Sequence, residues 1–147
     1  MMHLILEFEC GSWCGNSKPL WLCDGFCAQQ IEACYSPIVA EATAVLREII
    51  LAVKTGLVPF VVETDALGVV NLVKAGCSFS NDIGLVINDI LAHLREAPGV
   101  SLNFVPRKAN YVAHSLAKLA LESSELRFWM EECPPCVERY VRNYFHV

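Results

Sequence analysis

SPIVAEATAVLREIILAVKTGLVPFVVETD, residues 36–65, changes its hydrophobic period partway along, and that change decides the fold class. Ser36-Pro37 offers an N-cap and then a proline at the first helical position, where its missing N–H does no harm. Ile38, Ala42, Val45, Ile49, Ile50 and Val53 recur at helical spacing up to Gly56. Val58–Thr64 is short, β-branched and apolar, so it reads as a buried strand, and it stops at Asp65. A long helix feeding a buried strand is the building pattern of an α/β domain.

The same alternation continues downstream. Ala66–Ala75 reads as a short helix stopped by Gly76, and Ser80 or Asn81 caps a second long helix. That helix carries the stripe Ile83, Val86, Ile87, Ile90, Leu91 and Leu94 and ends before Pro98-Gly99. Val100, Leu102 and Phe104 alternate as a strand closed by Pro106, and Asn110 caps a helix bearing Val112, Leu116 and Leu119. Upstream, His3–Glu9 reads as a strand, and Leu20–Cys23 and Phe26–Ala28 flank Asp24-Gly25, a strong hairpin signal. The order β-β-β-α-β-α-α-β-α predicts an α/β fold: a mixed sheet, antiparallel meander first and parallel strands after, with helices packed on it. The expected domain covers residues 1–122. Residues 123–147, with Phe128, Trp129 and Cys133-Pro134-Pro135-Cys136, read as a C-terminal helix and proline elbow packed on it or extending from it.

Composition narrows the function classes. The chain has 147 residues, 54% hydrophobic and 18% charged, which excludes a disordered tail and allows one well-buried core. Apolar runs such as Ile49–Val53 are far short of the roughly 20 residues a spanning helix needs. Met1–Cys10 has no basic leading region and holds Glu7 and Glu9, so it does not read as a signal peptide. The expectation is an intracellular protein with no membrane partner, nucleus and cytoplasm not distinguished. Net charge is −5, which weakens a nucleic-acid reading. Residues 41–120, however, carry seven bases and seven acids, so the middle of the chain is neutral. The eight cysteines read as small buried hydrophobes in preference to a disulfide framework. Zinc held by Cys133 and Cys136 with a further pair is the minor alternative.

Two carboxylates stand out by position. Glu41 lies near the start of the long helix and Asp65 at the carboxyl end of the strand that follows it. Sites in α/β sheets form outside such strand ends, and two hard carboxylates there could hold Mg²⁺. The bland alternative is an exposed Glu41 and a helix-capping Asp65. His114 suits proton shuttling through its near-neutral pKa, against a satisfied surface histidine. Arg107, Lys108 and Lys118 bracket the last helix and suit phosphate contacts, against a solvated face.

Three motifs in order carry a resemblance. They are Ser36-Pro37-Ile38-Val39-Ala40-Glu41-Ala42, Val62-Glu63-Thr64-Asp65, and Val105-Pro106-Arg107-Lys108-Ala109-Asn110-Tyr111-Val112-Ala113-His114-Ser115-Leu116-Ala117-Lys118. Over roughly residues 20–135 the chain closely resembles the plant RNase H-like (reverse-transcriptase-like) domain family. The resemblance implies the ribonuclease H-like fold, a five-stranded mixed sheet flanked by helices. It also implies type-1 ribonuclease H chemistry, metal-dependent endonucleolytic cleavage of RNA in RNA–DNA hybrids at a two-metal site with Mg²⁺ or Mn²⁺. By position Glu41 and Asp65 match metal-ligating catalytic acids, and His114 takes the place of a further acid, as in many plant members. Asn110, Arg107 and Lys118 fall where nucleic-acid contacts are expected, and the protein is expected to work as a monomer on RNA or hybrid.

The chain departs from the family at Glu9-Cys10-Gly11, where the family's first strand ends in Asp-Gly. The resemblance implies that Cys10 stands in place of the carboxylate that bridges the two metals, for which Glu9 could substitute only by a register shift, and that the segment before Glu41 is about ten residues shorter than the family's. A neutral thiol cannot offset repulsion between two dications, and a thiolate is a soft ligand poorly matched to Mg²⁺. Activity is therefore expected to be impaired. The alternatives are a catalytically inactive nucleic-acid binder and a protein-interaction module using the cysteine-rich first strands and the Trp129 tail.

Overall fold

The computed structural model describes residues 2–8, 25–31, 36–56, 59–76, 80–109, 111, 115–116, 118–119, 122, 127–130 and 134–144. Helix α1 spans Pro37–Lys54, with Pro37 in its first turn and Ser36 extended at the cap. Ser36 caps through its backbone, its carbonyl accepting from the Ala40 N–H at 3.0 Å, while its side chain makes no cap bond. Of the stripe that the helical spacing predicts, Ala42, Val45 and Ile49 are buried, Ile38 and Ile50 are half-buried and Val53 is exposed, while Ala52 joins the buried side. Gly56 follows the helix with φ of 73°, a left-handed conformation in which glycine carries no steric penalty.

Strand β3, Phe60–Thr64, pairs in parallel with β4, Val100–Phe104, in the register Phe60↔Val100 to Thr64↔Phe104. Between them lie α2, Leu67–Ala75, and α3, Asp82–Glu96. Asn81 is the cap of α3, its Oδ1 accepting from the Gly84 N–H at 3.0 Å, which decides between Ser80 and Asn81. Gly76 ends α2 with φ of 63°. The core joins Ala42, Val45 and Ile49 of α1 to Phe60 and Val62 of β3, Val69 and Val73 of α2, Ile87 and Ile90 of α3, and Val100 of β4. The α2 start lies close to that of α1, where a Cβ on Gly68 would stand 3.3 Å from Ile38 Cδ1.

The remaining strands form a three-stranded antiparallel sheet in the order β1-β2-β5: Met2–Phe8, Gly25–Ile31 and Arg127–Met130. The described residues thus pair as two groups, three strands and two, where the sequence predicts one five-stranded mixed sheet. The expected strand Leu20–Cys23 and Asp24 of the hairpin lie outside the described residues. The chain also places a strand at Arg127–Met130, within the stretch read as helix and elbow, before the helix α4 at Pro135–Tyr144. Phe128 and Trp129 favour a pleated surface, and the pairing of Phe26 with Trp129 supplies the partner that a local reading could not see. Helix α1 packs against both β1 and β3 and so links the two groups. Among the described residues no helix is long and apolar enough to cross a membrane.

Candidate functional site

The parallel pair β3-β4 sets up the site. The Thr64 carbonyl accepts from the Val105 N–H at 2.9 Å, so the two strands end side by side and the segments leaving them start together. Asp65 leaves β3 there. Arg107 leaves β4 two residues beyond Val105, in a turn where the Pro106 carbonyl accepts from the Ala109 N–H at 2.7 Å. Since α1 runs into β3 through a short connection, its amino-terminal end returns to the same edge, carrying Glu41.

Asp65 is not the cap of α2. The cap position belongs to Ala66, which makes no side-chain cap bond, and the Ala66 N–H donates to Thr64 Oγ1 at 3.2 Å. The helix-capping alternative for Asp65 is therefore set aside. Glu41 is the fifth residue of α1, and the first turn holds no acid, so the helix dipole contributes less at Glu41 than a first-turn position would allow.

The electrostatics tie three residues together. The Glu41 carboxyl is pushed above the usual carboxylate range, first by desolvation, next by the negative charge of Asp65, with the Arg107 guanidinium pulling the other way. The Glu41 carboxyl thus feels the charges of Asp65 and Arg107, residues far from it in sequence that leave the carboxyl ends of the parallel strands.

Of the other candidates, Lys118 is exposed and faces a groove against α4, while Lys108 is an exposed residue of the Arg107 turn. His114, Asn110, Glu9, Cys10 and Cys133 lie outside the described residues. Among the described residues no group of three or more His, Cys, Asp or Glu side chains could hold a metal ion. Two carboxylates remain a workable donor set for Mg²⁺, which keeps several waters and commonly takes one or two carboxylates together with substrate phosphates. Sequence reasoning missed Arg139, which lines the Lys118 groove, because no local spacing relates positions 118 and 139. It also passed over Glu48, a charged residue only 6% exposed on the buried side of α1.

Residues 21–120 match a family model described as reverse transcriptase-like. The matched segment contains Glu41, Asp65, Arg107, Asn110, His114 and Lys118 and begins after Cys10. No curated protein and no solved structure shows significant similarity to the chain.

Proposed function

The chain belongs to the reverse transcriptase-like, RNase H-like family, and from that premise we propose that it binds RNA–DNA hybrid and hydrolyses the RNA strand with a divalent metal, at an impaired rate. The observation that carries this reading is the electrostatic meeting of Glu41 and Asp65 at the carboxyl end of β3. A like-charged pair that raises a carboxyl pKa is unfavourable for the folded state and is the arrangement expected where a cation is to be held.

In this reading Glu41 and Asp65 hold Mg²⁺ or Mn²⁺, which when bound would polarise the phosphodiester and activate water. Arg107 contacts a phosphate beside the pair, with Asn110 and Lys118 adding contacts to the strand. His114 moves a proton to or from the reacting groups. The strand groups β1-β2-β5 and β3-β4 are taken as parts of the family's single mixed sheet, which α1 spans. With Cys10 standing where the family carries a carboxylate, the site would have one fewer negative charge with which to hold metal, which would lower the rate more than it lowers binding. The second reading, a non-catalytic binder of nucleic acid within the family's plant branch, is favoured by the same substitution.

The test is a gel assay with labelled RNA–DNA hybrid in Mg²⁺, Mn²⁺ or EDTA, with Glu41→Gln and Asp65→Asn as controls. Metal-dependent cutting lost in both variants supports hydrolysis. Hybrid binding without cutting, in folded protein, supports the binder, and neither binding nor cutting overturns both readings.

A further inference from the structure

Away from the carboxylates, the segment holding Ser115, Lys118 and Glu122 meets the start of α4 and leaves an open groove of about 390 Å³. Pro135, Cys136 and Arg139 form its other wall. Its volume falls within the roughly 300–1,000 Å³ range of ligand clefts, ample for part of a nucleotide strand. Lys118 and Arg139 are both exposed, so two cations face one opening on a chain whose net charge is −5. Glu122 is the carboxylate of the lining, four positions after Lys118. Burial pushes the Cys136 thiol up, a backbone hydrogen bond partly reverses this, and the charge of Glu122 adds to the rise. The thiol therefore stays uncharged at neutral pH and adds no repulsion toward an anion.

We propose that this groove is a second contact point for the sugar–phosphate backbone of a bound nucleic acid, with Lys118 and Arg139 as the phosphate partners and the Ser115 hydroxyl as a donor. The proposal rests on the nucleic-acid reading above and extends it to α4, outside the matched residues 21–120. Arg139 presents a planar fork suited to phosphate oxygens, and Lys118 a flexible point charge. Contacts of this kind set register and affinity without reading sequence, so they suit a protein that recognises a hybrid by its backbone.

The probe is a fluorescein-labelled twelve-base-pair RNA–DNA hybrid in EDTA, titrated by anisotropy at a series of KCl concentrations. Lys118→Gln and Arg139→Gln should each weaken binding about three- to tenfold and flatten the slope of log affinity against log salt by about one. Arg139→Lys should retain most of the affinity, and Arg95→Gln, in the last turn of α3, should change nothing. A second readout is peptide-resolved alkylation of Cys136, an exposed free thiol, which bound hybrid should slow. Hybrid binding with unchanged affinity and slope in both Gln variants, or unslowed Cys136 labelling, overturns the groove while leaving the function standing. Poly-glutamate competing as well per charge as unlabelled hybrid would assign the groove to acidic protein segments and also overturn it. Absence of any hybrid binding by the wild type overturns the function and the groove together.

Discussion

Replacing Glu41 by Gln should make the metal-free protein more stable at neutral pH. The Glu41 carboxyl is raised by desolvation and by the charge of Asp65, with Arg107 partly compensating. An acid whose folded pKa lies above its unfolded value holds its proton better in the folded state. Its ionisation therefore opposes folding, the penalty appearing as pH rises through the unfolded and then the folded pKa. Two unit charges about 4 Å apart in bulk water interact by about 1 kcal/mol. Exposed pairs are screened to about 0.2–1 kcal/mol, and Glu41 is exposed with Arg107 offsetting part of the repulsion. The expected gain is about 0.5 kcal/mol, a rise in Tm of about 1–2 °C for a domain of this size. Urea unfolding in EDTA at pH 7, followed by far-UV circular dichroism, measures it directly. The gap between variant and wild type should narrow as pH falls through about 4 and close near about pH 3, where Glu41 is protonated in both states, and shrink in 1 M KCl. A variant less stable than wild type at pH 7, with an unchanged m-value, would refute the reasoning and make Glu41 a structural residue.

Two further predictions address the frame that carries the site. Asn81→Ala removes the Oδ1 that accepts from Gly84 N–H, and should lower stability by about 1 kcal/mol in thermal unfolding, whereas Ser80→Ala should leave it unchanged. Ile49→Ala truncates a fully buried α1 side chain packed in the core, and should lower stability by about 2–5 kcal/mol by urea titration; a smaller loss would mean that the α1–β3 contact is looser than described.

The sequence made the long helices legible because their apolar stripes repeat over several turns. Ile49 and Ile90 are completely buried where the spacing puts them. The strand read at Val58–Thr64 was equally clear, although it begins at Phe60 after Pro59, and Val100–Phe104 lies where its alternation puts it. Long-range pairing was not legible. Arg127–Met130 becomes a strand by pairing with Gly25–Ala28, about a hundred positions away, and its own four residues carry no alternation to announce it. The choice between Ser80 and Asn81 also needed geometry, since either residue type can cap.

The site divides in the same way. That Glu41 and Asp65 could meet followed from a helix leading into a strand, on the condition that the strand pairs centrally. Among the described residues β3 pairs with β4 alone, and what relates the two acids is the charge of Asp65 acting on the Glu41 carboxyl, with Arg107 acting against it. Whether Asp65 capped α2 was undecidable from spacing, and the cap at Ala66 decides it. The groove shared by Lys118 and Arg139 depends on how α4 docks, which no motif encodes.

The central claim is that Glu41 and Asp65 together form one divalent-cation site. Titrating Mn²⁺ into the protein and following the free-ion electron paramagnetic resonance signal tests it most directly. The account predicts saturable binding by the wild type, weakened at least about tenfold by either Glu41→Gln or Asp65→Asn, in proteins that remain folded. Mn²⁺ affinity unchanged in both variants, or no saturable binding by the wild type, would contradict it.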